Sequence, residues 1–142
     1  MTIYNTFPRE VSGYNIPCIL QAAQEIYSGV PMTMTISNAP GEVLGITFYR
    51  YVGLVSLFQN STISITIDGI VILNTDMWKF MMSYAQYSIH DLFFTDDEQG
   101  TKYGSTSFFL KMPYELSWEM VITNTQAAHM GLSVAIQYRY GG

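Results

Sequence analysis

Eleven acidic residues stand against six basic ones in this chain, and the carboxylates are the first candidates for chemistry. Asp91, Asp96, Asp97 and Glu98 carry the oxygen ligands that Ca²⁺ prefers. They lack the alternating spacing of an EF-hand loop. The run Asp96-Asp97-Glu98 therefore reads first as a solvated acidic loop and second as a weak cation site. A glycosidase needs two carboxylates facing each other across a cleft. Glu115 and Glu119 on one strand would lie ~13 Å apart, given the rise per residue, which is too far. Glu42 and Asp68 stay open as a pair. His90 and His129 belong to no His-x-x-x-His or Glu-His pattern, and no G-x-S-x-G elbow is present. Both histidines read as structural, with His90-Asp91 alone suited to act as a pH-sensitive pair. Cys18 is the single cysteine, which rules out an intrachain disulfide and Cys-based zinc clusters. It reads as a small buried hydrophobe. No catalytic residue, metal ligand set or cofactor site is expected, and the chain is read as a non-enzyme.

The aromatic residues offer a different kind of site. Tyr49 with Tyr51, Tyr138 with Tyr140, and Trp118 with Met120 are spaced two apart, so each pair shares a face of its strand. Such faces stack on sugars or anchor a protein partner. Filling a core is the plainer use. Tyr49, Tyr51, Trp118, Tyr138 and Tyr140 are thus the candidate interface or ligand platform.

These side chains must be positioned by β structure. Ile63, Ile65 and Ile67 alternate with Ser64 and Thr66, and Asp68-Gly69 supplies a type I′ turn into Ile70–Leu73. Met32–Ile36 alternates strictly and ends at a dense turn signal. Val43–Val52 is long, branched and aromatic, with Gly45 marking a bulge or a close backbone approach, and Leu54–Phe58 is placed to continue it. Ile89–Phe94, Ser105–Lys111, Leu116–Thr123 and Gly131–Tyr140 read as further strands. Asp96–Gly104 reads as a polar loop, and Pro113 as a break. In the last strand Leu132, Val134, Ile136, Tyr138 and Tyr140 fall on one face. Thr75 is placed to cap a short helix over Asp76–Ser83. Residues 17–28 stay open between helix and strand, because Leu, Ala, Gln and Glu favour helix while the run is short. The expectation is an all-β sandwich of about eight antiparallel strands with one or two short helices. Residues 1–16 are expected to form an arm and 17–142 the domain.

Composition narrows the partners. The chain has 142 residues, of which 12% are charged and 49% hydrophobic, with a net charge of −5. No run of Lys or Arg offers a footprint for nucleic acid. No apolar stretch reaches the ~18 residues of a membrane span, and the first fifteen residues lack the regions of a signal peptide. A surface with so few ions is easily buried against another protein.

Three passages carry a resemblance. They are Pro40-Gly41-Glu42-Val43-Leu44-Gly45-Ile46, Ser64-Ile65-Thr66-Ile67-Asp68-Gly69, and Phe109 through Ser117 with Ile122 and Asn124. Their order over residues 29–140 resembles the jelly-roll domains of viral and phage structural proteins. It is also similar to the jelly rolls of a family of glycan-active bacterial proteins. The resemblance implies a single jelly roll and a non-enzymatic protein of a capsid, spike or tail, assembled in the host cytoplasm. Such a protein would pack against copies of itself or other virion proteins. The second resemblance implies a carbohydrate-binding module as the alternative. No catalytic residue carries over.

Overall fold

Asp68 and Gly69 both take positive φ, 54° and 82°, as a two-residue type I′ turn requires. They join β4 (Thr62–Ile67) to β5 (Ile70–Asp76) in a computed structural model that describes residues 14–84, 95–96 and 101–141. Outward from this turn the chain pairs in nested, antiparallel fashion. The next pair is β3 (Gly41–Leu54) with β7 (Thr101–Phe108) and then, along the same edge, β8 (Met112–Tyr114). Beyond it β2 (Met32–Ile36) pairs with β9 (Trp118–Thr123). The outermost pair is β1 (Tyr14–Ile26) with β10 (Met130–Gly141). The short β6 (Thr95–Asp96) adds to β7.

Two further ladders, β10–β3 and β9–β4, join alternate pairs into two sheets. One runs β1-β10-β3-β7-β6 with β8 also on β3, and the other runs β2-β9-β4-β5. With β7 and β8 taken as one interrupted strand, the eight positions fall in the orders 1-8-3-6 and 2-7-4-5. That is a chain-long hairpin rolled into a two-sheet sandwich, the jelly-roll arrangement. The all-β expectation holds.

The core lies between the sheets. Met32, Met34 and Ile36 of β2, Ile63 and Ile65 of β4, and Trp118, Met120 and Ile122 of β9 enter from one side. Val43, Ile46, Phe48, Phe108, Leu132, Val134 and Ile136 enter from the other. Helix α1 (Val55–Asn60) follows β3, and α2 (Met77–Tyr84) follows β5. Asp76 caps α2: its Oδ1 accepts the Lys79 N–H at 2.6 Å, so the cap is one residue later than Thr75. Met77, Phe80 and Met81 then face the core at helical spacing. The Phe80 ring lies 4.7 Å from Phe108, and Phe48 lies 5.1 Å from Phe108.

Several segments differ from the sequence reading. Leu54–Phe58 does not continue β3 beyond Leu54 but turns into α1. Leu57 and Phe58 are both buried, which successive strand residues on opposite faces cannot achieve above a single core. Residues 17–28 resolve as strand through Ile26, because the continuous ladder to β10 overrides the helix propensity of Leu20 to Glu25. β1 also begins at Tyr14, inside the stretch expected to be an arm; residues 1–13 lie outside the described residues. Thr101–Gly104, expected in a loop, belongs to β7. The break falls at Phe109–Lys111, and Pro113 sits inside β8, a short strand paired on one side by β3, where proline is tolerated. Gly45 has both suggested roles. The β3–β10 register slips beside it, and a Cβ there would lie 3.2 Å from the Phe108 carbonyl oxygen. Ile89–Phe94 lies outside the described residues.

Phe80→Ala should cost about 3–5 kcal/mol, as expected for an aromatic removed from a packed core. A urea unfolding series checks this. A loss under about 1 kcal/mol would show that α2 does not seal the sandwich.

Candidate functional site

The polar residues that come together do so at strand ends and loops. Asp68, at the central turn, turns its carboxylate onto the β8–β9 loop. Its Oδ1 accepts the N–H groups of Leu116 and Ser117 at 2.7 and 3.0 Å, and Oδ2 accepts that of Glu115 at 3.0 Å. The Asp68 N–H in turn donates to the Ser117 carbonyl at 3.0 Å. The Glu115 N–H foremost, with those of Ser117 and Leu116, holds the Asp68 pKa below its ordinary value. Asp68 is committed to this loop.

Glu42 is buried, with 3% of its surface exposed. It stands directly opposite Arg139 across β3–β10. Arg139 Nε and Nη2 lie 2.7 and 2.6 Å from Glu42 Oε1, and Lys111 Nζ lies 4.0 Å from Oε2. Beside it, a Cβ at Gly41 would fall 2.5 Å from the Tyr114 hydroxyl. That hydroxyl donates to the Asn38 carbonyl at 2.6 Å. The open pair of carboxylates, Glu42 and Asp68, is thus engaged at two separate structural sites.

Asn124 is the third such residue. Its side-chain amide donates to the carbonyls of Ile26 and Ala128 at 2.9 and 2.7 Å, and its Oδ1 accepts the Gln126 N–H at 2.8 Å. It fastens the end of β1 to the β9–β10 loop. Asp68 and Asn124 both lie in the passages that carry the jelly-roll resemblance, and both act as loop fasteners.

The other sequence candidates separate. Trp118 is fully buried in β9, so it is core and not a surface platform. Its Nε1 has no hydrogen-bond acceptor among the described residues. Tyr49 is 46% exposed and lies where β3 bulges between Phe48 and Tyr51, so simple alternation no longer relates it to Tyr51. Tyr51 stands opposite Leu132 and Gly104 in the ladders. Tyr138 and Tyr140 continue the core-facing side of β10 and are half-buried, their rings stacked 6.4 Å apart. Burial raises the Tyr138 pKa, against the opposing effect of the Asn38 amide that donates to its hydroxyl. Cys18, opposite Tyr138 in the β1–β10 ladder, is half-buried. Pro17, Cys18, Ile19, Leu44, Gln137 and Tyr138 line a shallow trough of about 550 Å³.

Glu115 and Glu119 do not share a strand. Glu115 lies in the β8–β9 loop, and Glu119 in β9 accepts a bond from the Thr35 hydroxyl at 3.4 Å. His129 meets Glu25 at 3.5 Å and the Tyr27 ring at 5.0 Å. This cluster carries no local sequence signal, because it forms only when β1 pairs with β10. Asp96 lies in β6. Asp97 and Glu98, like His90 and Asp91, fall outside the described residues. Among the described residues no three His, Cys, Asp or Glu side chains converge as a metal site requires. No helix among them is long and apolar enough to cross a membrane.

No protein-family model matches the chain, and no curated protein matches it. Among solved structures, the dimeric latent PorU of Porphyromonas gingivalis aligns with 90% of this chain at 12% identity, with a TM-score of 0.49. The chain spans only 13% of the length of that PorU chain. A likeness at this level says nothing of this chain's activity.

Two substitutions test the fasteners. Glu42→Ala should destabilise the fold by about 3–5 kcal/mol, because it leaves Arg139 charged and unpaired in a largely dry site. Guanidinium titration measures it, and a cost near zero would remove Glu42 from the framework. For Asp68, a lowered pKa means that the stabilisation is complete above the ordinary carboxylate range. It is lost as pH falls through the lowered folded value. Asp68→Asn should therefore lower the urea midpoint at pH 7, and the difference from the unsubstituted chain should shrink as pH falls through the lowered folded value. Equal midpoints at pH 7 would show that the loop does not depend on this carboxylate.

Proposed function

We propose that this chain is a non-enzymatic structural protein that works by packing its jelly roll against other subunits, as a component of a virus or phage particle. One observation carries the reading. Among the described residues nine large apolar side chains, including Ile19, Tyr27, Tyr49, Ile70, Phe109 and Leu116, stay at least 46% exposed on a chain with few ions. Surfaces of this kind are normally covered by protein. The carboxylates best suited to hydrolysis, Glu42 and Asp68, meanwhile hold loops and strands together. The virion setting, with assembly in the host cytoplasm, rests on the resemblance of the three strand-turn passages. Copies of the chain itself and other virion proteins are the partners.

A carbohydrate-binding module is the second reading, favoured by the stacked Tyr138–Tyr140 pair and the adjoining trough. It is weakened by the burial of Trp118.

The mass in solution, measured by light scattering over a concentration range, tests the first reading. A discrete oligomer or larger assembly at micromolar concentration is expected. A 16.1 kDa monomer at every concentration would count against self-association. Binding of an oligosaccharide abolished by Tyr138→Ala would then favour the second reading.

A further inference from the structure

We propose that β5 is the self-association edge: two copies of the chain join their four-stranded sheets by antiparallel, two-fold pairing of β5 with β5. This rests on the reading of the chain as a self-packing structural protein, and it names the surface.

Among the described residues β5 is the terminal strand of its sheet, paired by β4 on one side only. Its other side is therefore an open row of backbone donors and acceptors, a template for a further strand. Ile70, Val71 and Ile72 are 68%, 59% and 51% exposed. Three consecutive exposed branched residues are unusual in a strand, where alternate side chains normally turn inward. A bulge accounts for Val71 and Ile72, and Ile70 stands at the turn. Ile65 pairs with Leu73 and Thr66 with Val71, so Ile72 is an extra residue with no partner on β4. Ile72 instead lines a groove of about 200 Å³ with Ile65, Leu73, Leu110, Lys111 and Met112. The groove lies between β5 and the β7–β8 link, at the open side of the sandwich. An added strand would find both a backbone ladder and an apolar slot beside it.

Charge selects the occupant. From Ile70 through Thr75 the strand carries no ionisable side chain, and Lys111 is the one charged residue among the described residues that line the groove. A basic partner strand would find no acid in this groove, and an acidic one only Lys111. A second β5 brings the same uncharged apolar run. Laid antiparallel about a two-fold axis at Leu73, the centre of the strand, it sets Leu73 against itself and Asp76 against Ile70 and opposes no like charges. Two chains of net charge −5 can thus meet here without direct repulsion. A two-fold contact of one patch with itself also closes after two copies. The other edges are protected differently. β1 carries Pro17 and Glu25, and β2 turns Met32, Met34 and Ile36 inward and presents Thr33 and Thr35. β5 has neither Lys nor Pro, the usual guards of an open edge.

Sedimentation velocity on Ile72→Lys, with exposed Thr33→Lys on β2, the other edge strand of the same sheet, as control, tests the pairing. Ile72→Lys should weaken association at least tenfold with an unchanged circular dichroism spectrum, and the control should leave it unchanged. In a Cys18→Ala background, Leu73→Cys alone, or Ile72→Cys together with Asn74→Cys, which oppose each other across the axis, should give a disulfide-linked dimer on mild oxidation. Cross-strand neighbours at the axis come within disulfide reach. If Ile72→Lys does not fold, the cysteine series decides alone. An oligomer that withstands Ile72→Lys and forms no cross-link overturns the β5 interface while leaving self-packing in place. A monomer at all concentrations, with no cross-link, overturns both.

Discussion

The turn at Asp68-Gly69 is the constraint on which the rest of the sandwich hangs. Every other pairing lies outside it in the nesting: β3 with β7 and β8, β2 with β9, β1 with β10. A type I′ turn sets the register at the closed end of its hairpin. A slip of one residue there would turn Ile63 and Ile65 outward, and the β4–β9 ladder would carry the error to Trp118, Met120 and Ile122. Asp68 has a second part in this. Its carboxylate holds the three N–H groups of Glu115, Leu116 and Ser117, immediately before β9 begins. One residue therefore ends β4 and aims the strand that lies beside it.

The outer strands need their own alignment, because the turn is far from them in sequence. Glu42 and Arg139 supply it on one sheet. The pair spans β3 and β10 at directly opposed positions, with Lys111 reaching in from the β7–β8 link. A buried ion pair is a poor source of net stability but penalises any register that separates its members. Asn124 supplies the equivalent constraint at the other end, where β1 leaves the sheet. The fold thus combines a nonspecific apolar core with a few polar contacts that admit only one threading.

Local pattern made the inner strands legible. Met32–Ile36 and the Asp68-Gly69 hairpin could be read because alternation and turn chemistry are properties of neighbouring residues. Leu132, Val134 and Ile136 follow the same rule. What escaped depends on distant partners. Leu20 to Glu25 looks helical until β10 offers it a ladder. Leu57 and Phe58 suggest a strand until both must reach the core. Tyr49 and Tyr51 share parity on paper, but the β3 bulge intervenes. Trp118 resembled a platform because a sheet residue's period does not say which face meets the other sheet. The roles of Asp68, Glu42 and Asn124 were invisible for a similar reason. Each bonds groups brought near by folding, and the carboxylates were visible only as chemistry without a place.

A nested sandwich cannot hide all its edges, since rolling the hairpin closes the inside but leaves a terminal strand at each margin of both sheets. In most proteins charge or proline keeps such margins apart. This chain has little charge to spend, and some of what it has is committed within the fold at Glu42, Arg139 and Asp68. The surface is then left to threonine, tyrosine and exposed isoleucine, which repel a neighbour weakly. Using ions to hold the threading inside thus leaves the outside poorly defended against contact. On the proposed reading, the same residues that give the sandwich one register also help to leave a surface that other protein can cover.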